Sequence, residues 1–244
     1  MTHIIFGINE PHPKDKVNLN LNPPSTYARR HPLYIHPLEA ITKPIRRTWN
    51  FSAYCQCSDE PDILAKNEKH SPTRTNSSTI GGGGLEWGAW FEFTDKDDRI
   101  TNPSLAFLVD IFLSTPTLLP ESEKVGLPIR LFCFVSFHND IPITYGFISW
   151  HSTMTLSVEF KNKIPPPSFL HADRTVGLYS CGRFMTAPQG RHDAYVEVWT
   201  APSNIGEGSV VDNWRDNQIC LATATQMVLT LPMQVNEKLG KAKL

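Results

Sequence analysis

Between residues 85 and 93 apolar and polar positions alternate strictly. Leu85, Trp87, Ala89, Phe91 and Phe93 fall on one side and Glu86, Gly88, Trp90 and Glu92 on the other. A period of two is the mark of a strand with one buried face. Asp95-Lys96-Asp97-Asp98 then reads as a turn, and the period changes. Asn102 can cap a helix, Pro103 suits its first position, and Leu105, Leu108, Val109, Phe112 and Leu113 recur at helical spacing. Ala106, Phe107 and Ile111 cover most of the remaining surface, so the pattern predicts a helix buried nearly all round and stopped at Pro116. Four more strands are predicted over 153–160, 175–185, 194–200 and 219–231. Pro165-Pro166-Pro167, Pro188-Gln189-Gly190 and a polar loop over 202–217 separate them.

Strand, apolar helix, then four strands joined by turns implies an α+β fold with an antiparallel sheet. One sheet can hide every face of one apolar helix only by curling around it. The expected architecture is therefore the hotdog fold, a curved antiparallel sheet around a central buried helix. Residues 1–83 do not share this patterning. They hold nine of the 20 prolines, mixed with Asn, Ser, Thr and His, and end in a glycine run at 81–84. They are expected to be an irregular proline-rich segment and linker before a domain at 84–232, with a disordered tail at 233–244. The glycines lead into a strand rather than a helix, so they do not form a phosphate-binding loop.

The formal net charge of -1 gives no field to gather nucleic acid or an anionic membrane. No stretch approaches the roughly 20 apolar residues of a membrane-spanning helix. Five scattered cysteines, Cys55, Cys57, Cys133, Cys181 and Cys220, are not a disulfide framework and fit a reducing compartment. The short apolar run at 4–8 lacks the features of a secretory signal. The expectation is an intracellular protein, cytoplasmic or in an organelle such as the peroxisome.

Asp110 is the one charge between Pro103 and Ser114. A lone carboxylate on an apolar helix is costly to bury and its pKa should rise, which suits a general base. The alternative is a carboxylate that meets a backbone donor or reaches solvent at a subunit edge. Gln226 shares a small-residue face of the last strand with Cys220, Ala222 and Ala224, either to orient a water or carbonyl or simply as an exposed strand residue. Gly177-Leu178-Tyr179-Ser180-Cys181-Gly182 lacks the spacing of a serine-hydrolase elbow, and Cys55, Cys57 and His70 match no zinc ligand set.

Three blocks carry a resemblance. They are Gly82-Gly83-Gly84-Leu85-Glu86-Trp87-Gly88-Ala89-Trp90-Phe91 with Leu105-Ala106-Phe107-Leu108-Val109-Asp110; Thr153-Met154-Thr155-Leu156-Ser157-Val158-Glu159-Phe160; and Asp193-Ala194-Tyr195-Val196-Glu197-Val198-Trp199 with Leu221-Ala222-Thr223-Ala224-Thr225-Gln226. Together they resemble the thioesterase-like superfamily related to type II acyl-CoA thioesterases, particularly its fungal members. The resemblance implies a catalytic set of Asp110, Thr153 and Gln226, hydrolysis of an acyl-CoA by Asp-activated water with backbone N–H groups at the oxyanion, and no cofactor or metal. Members of that family carry two hotdog units. The first is missing or reduced here, which implies a homodimer, or pairing with another hotdog chain, through sheet edges. Residues 128–149 depart from the family pattern and read as unspliced-intron translation or an extra hairpin just before Thr153; sequencing the transcript separates the two. The rival to a thioesterase is a non-catalytic or degenerate hotdog that binds acyl groups or serves as an assembly subunit.

Overall fold

The computed structural model describes residues 4–6, 28–42, 50–71, 84–120, 149–186, 190–232 and 235. The suggested insertion at 128–149, except its last residue, and nearly all of the tail at 233–244 lie outside the described residues. So do Gly81, Gly82 and Gly83 of the glycine run.

Among the described residues eight strands form one curved sheet. They are β1 (Ile4–Phe6), β2 (Cys55–Asp59), β3 (Leu85–Phe93), β4 (Ser149–Phe160), β5 (Thr175–Gly182), β6 (Met185–Thr186), β7 (Arg191–Thr200) and β8 (Cys220–Pro232). The order is β1-β4-β8-β7-β5-β3-β2, with the two-residue β6 also paired to β7. Every pairing is antiparallel except that of β1 with β4. Helix α1 (Pro61–Ala65) follows β2, and α2 (Asn102–Leu108) follows β3.

The inward face of the sheet and α2 make the core. Trp87, Ala89 and Phe91 of β3 meet Val176 and Leu178 of β5, Val196 and Val198 of β7, and Ala222 and Ala224 of β8, with Leu105, Leu108 and Val109 inserted from above. The alanines on β8 leave room for the helix to approach. This is the α+β hotdog arrangement, with a shorter helix than the pattern suggested. Thr101, not Asn102, is the cap: its hydroxyl accepts from Ser104 N–H while Ser104 Oγ accepts from Thr101 N–H. The helix ends at Leu108, eight residues before Pro116. Only one side is buried, and Ala106, Phe107 and Leu113 are exposed. The expectation of burial all round is thus corrected. Beyond Leu108 the bonds tighten, Asp110 N–H reaching Phe107 O at 3.0 Å and Ile111 N–H reaching Leu108 O at 3.3 Å.

The proline-rich segment also differs from the expectation. β2 pairs with β3 over five residues, from Cys55 opposite Phe93 to Asp59 opposite Ala89. Residues 28–42 cross the outer face of the sheet. Leu33 and Ile63 are fully buried there with Trp90, Ala201 and Trp214. Trp90 Nε1 donates to Ile35 O at 2.9 Å, Glu60 Oε2 accepts from the N–H groups of Tyr34 and Ile35 at 3.1 Å, and Arg29 pairs with the buried Glu197 at 2.6 Å. Proline restricts backbone freedom in the unfolded chain, so an extended strap of this kind costs less entropy to lay down than its irregular outline suggests. Gly88 allows the close contact: a Cβ there would lie 2.6 Å from side-chain carbons of both Ile63 and Leu33.

Candidate active site

Asp110, Thr153 and Gln226 come from three separate elements and meet. Asp110 lies in the turn after α2. Gln226 lies on β8 and faces inward in the alternating series Ala222, Ala224, Gln226, Val228, all buried. Thr153 reaches the same face through a bulge. Thr153 pairs with Val228 and Thr155 with Met227, so Met154 is the extra residue. Without that shift Thr153 would lie on the face of Thr155 and Ser157. With it, Thr153 joins Leu156, Val158 and Phe160, which oppose Gln226, Ala224 and Ala222.

Thr153 Oγ1 lies 3.2 Å from Asp110 Oδ1 and 3.4 Å from Gln226 Oε1. Gln226 Nε2 donates to Val109 O at 2.9 Å. The glutamine thus ties off the end of α2 and accepts from the same hydroxyl that faces the carboxylate. Partial desolvation pushes the Asp110 pKa up, and the bonds from Thr153 and Gln226 pull against that rise. Asp110 as a residue is exposed, unlike the buried carboxylate expected from an all-apolar helix; it stands at the open end of a helix that stops early. A carboxylate with a raised pKa, held by the Thr153 hydroxyl and open on one side, can accept a proton from a water.

A neighbouring polar row was not anticipated. His192 of β7 sits across Val228 from Thr153, and His151 of β4 pairs with Thr230. The two rings are 6.1 Å apart, and burial lowers both pKa values, that of His151 to about 4. The signal was present in the alternation of His192 with Ala194, Val196 and Val198, had the strand been extended two residues upstream. Ser180, in the glycine-flanked run, is buried inside β5 and not on a turn into a helix. Among the described residues no three His, Cys, Asp or Glu side chains group as a metal set, and no helix is long and apolar enough to cross a membrane.

The curved sheet and the short helix laid on it define a hotdog protein, and the family to which it belongs is that of the thioesterases. The family model of the acyl-CoA thioesterase C-terminal domain matches residues 55–203, more than half of the chain. The chain belongs to that family. The matched span starts at β2 and stops before β8, so Asp110 and Thr153 fall inside it and Gln226 outside. No curated protein matches the chain. Two solved structures are similar to it. One is a candidate thioesterase II from Thermobifida fusca, at 17% identity and TM-score 0.46, covering 87% of this chain and 58% of that one. The other is a conserved hot dog-fold protein of unknown function from Alicyclobacillus acidocaldarius, at 15% identity and TM-score 0.40, covering 82% and 54%. The chain thus spans little more than half the length of either.

Proposed function

We propose that this chain hydrolyses the thioester of an acyl-CoA, with Asp110 taking a proton from a water held among Asp110, Thr153 and Gln226. The observation that carries the reading is the position of the Thr153 hydroxyl, 3.2 Å from the carboxylate and 3.4 Å from the amide oxygen. Three side chains separated by up to 116 positions do not share hydrogen bonds at a helix end without a packing arrangement that brings them there, and a hydroxyl, an amide and a carboxylate are the groups needed to orient and deprotonate water. The attack of that water on the acyl carbonyl would release coenzyme A as the thiol and leave the free acid. Family membership supports the substrate class.

The site is open. Asp110 and Thr153 are exposed, and Phe107, Leu113, Met154 and Leu156, close to them in sequence, are large exposed apolar residues. β1 pairs only with Val158, Glu159 and Phe160 of β4; the rest of that edge has no strand partner among the described residues. A second copy of the chain set against this edge would cover the apolar residues and shield the bound water from bulk solvent, which supports a homodimer as the working form. The same openness favours the second reading, a hotdog that binds acyl groups without turnover.

Thiol release from a panel of acyl-CoAs, measured beside the molecular mass in solution, tests both. Turnover by a dimer that disappears in a folded Asp110→Ala variant is the expected result. A folded dimeric chain that binds acyl-CoA and releases no thiol would move the assignment to the second reading.

A further inference from the structure

Beside the Asp110 cluster lies a pair of side chains that the water mechanism does not use. Ser114 Oγ is 2.9 Å from His192 Nε2, and His192 Nδ1 is 2.8 Å from the carbonyl oxygen of Gly190. A carbonyl only accepts, so Nδ1 carries the ring proton and Nε2 is left as a bare acceptor facing the serine hydroxyl. His192 is 2% exposed, and its burial disfavours the imidazolium against the opposing effects of the Gly190 bond and of Asp193.

The ring is held on several sides. Gly190 has φ +58, a backbone conformation that suits glycine, and its carbonyl also accepts from Thr230 Oγ1 at 3.2 Å. His151 packs edge-on against His192 and shares Thr230 through a 3.2 Å contact. On the other side, Thr115 Oγ1 donates to Asp193 O at 3.2 Å, which fixes the chain next to Ser114 relative to β7. Ser114 itself keeps part of its surface in solvent. A nucleophile and base within hydrogen-bond reach, with the base oriented by a third group, is the arrangement of an activated hydroxyl.

We propose that Ser114 and His192 form a nucleophile–base pair that takes an acyl group from an activated acyl donor, either a thioester or an ester. Ser114 Oγ bonds to the acyl carbonyl carbon while its proton passes to His192 Nε2. The C–S or C–O bond of the donor breaks, and the leaving thiolate or alkoxide takes that proton. An ester remains on Ser114, and water cleaves it to the free acid and the original serine. The same imidazolium forms in both steps, but the last must expel the Ser114 alkoxide, a poorer leaving group than a thiolate or a phenolate, so with such a donor it is the slower step. The acyl-serine therefore accumulates. The site is independent of the Asp110 reading and stands or falls without it.

The test incubates the full chain with p-nitrophenyl acetate and follows intact and peptide masses. The expected product is one acetyl group on the peptide that carries Ser114, resistant to neutral hydroxylamine as an oxygen ester is and unlike a cysteine adduct. Ser114→Ala removes it, and Ser114→Cys restores it in hydroxylamine-sensitive form. His192→Gln keeps an acceptor for the hydroxyl but supplies no base, and slows labelling about a hundredfold or more. A wild-type chain shown by circular dichroism to be folded that gains no acetyl at Ser114 overturns the proposal. So does a His192→Gln variant that labels at the wild-type rate. Either result leaves the pair as a tether between β7 and the chain after α2.

Discussion

Replacing Gln226 by Met tests the joint structural and chemical role of the residue that closes the site. Gln226 is 4% exposed, and its amide donates to the carbonyl of Val109, a residue with no exposed surface. That carbonyl is one of those a helix leaves without an internal partner at its C-terminal end. Methionine preserves length and approximate volume, so the packing against Ala224 and Val228 is largely retained. What is lost is the hydrogen bond, and the carbonyl is left buried and unsatisfied, at a cost of about 1–3 kcal/mol. For a chain of this size each kcal/mol moves the melting temperature by about 2–4 °C, so the expected fall is roughly 2–12 °C. Thr153→Val is the companion variant. Thr153 is exposed and its contacts are long, so its stability change should stay within about 0.5 kcal/mol. Melting followed by circular dichroism, with thiol release from acyl-CoA on the same samples, separates the two roles: Gln226→Met loses stability and turnover, Thr153→Val turnover alone. Wild-type melting and wild-type thiol release in Gln226→Met would refute both the capping of α2 and the water site.

Leu33→Ala should cost about 3 kcal/mol or more in urea unfolding, since Leu33 is fully buried under the strap; a change below about 0.5 kcal/mol would mean that the strap is not part of the cooperative unit. Gly88→Ala probes the same contact from the sheet side. Its Cβ would meet Ile63 and Leu33 at 2.6 Å, and overpacking should cost about 1–3 kcal/mol in the same assay. Because the folded-state pKa of Asp110 is raised, the carboxyl holds its proton more tightly folded than unfolded and its contribution to stability falls as pH rises through that range. Asp110→Asn should therefore abolish thiol release without lowering the neutral-pH melting temperature, and a lower value would show that the charge stabilises the fold. The opposite sign applies to His151, whose pKa falls from 6.5 to about 4. The unfolded chain binds the proton first, so stability is lost as pH drops from about 6.5 toward 4. His151→Gln should reduce the proton uptake on unfolding near pH 5.5 by about one, measured from the pH dependence of the unfolding free energy.

The strands were legible because they alternate and, in β3, β5, β7 and β8, bury the inward face. β3 runs from Leu85 to Phe93, as the pattern predicts, and β5, β7 and β8 overlap their predicted spans. The covering of the opposite face was not legible. Leu33 and Ile63 sit among prolines and polar residues with no period, because a strap that crosses strands needs only isolated apolar contacts at the places where it meets the sheet. His31 shows the same limitation. It looks like a solvated residue in sequence, yet it is wholly buried, stacked on Trp90 at 5.0 Å, with burial taking its pKa down to about 3. Its small sheet neighbour Gly177, where a Cβ would collide with the imidazole, is 146 positions away.

Asp110, Thr153 and Gln226, the set implied by the family resemblance, meet in the structure, and the helix shows why local pattern alone could not bring them together. Periodicity carried the helix on to Pro116 because apolar residues continue at helical spacing through Leu113, which left Asp110 either buried or reaching solvent at an edge. What stops the helix is not in the local sequence: the carbonyl of Val109 is taken by Gln226, a residue 117 positions later. A bulge at Met154 in β4 then turns Thr153 toward the same point. Neither event has a local signature, since the glutamine reads as an ordinary strand residue and the bulge as an unbroken β-strand pattern. Once Gln226 closes α2, Asp110 is released from the buried face to the open end, where its pKa can rise by partial desolvation without the cost of a fully buried charge. The early stop of α2 is thus what sets this carboxylate at an exposed helix end beside Thr153 rather than among apolar side chains.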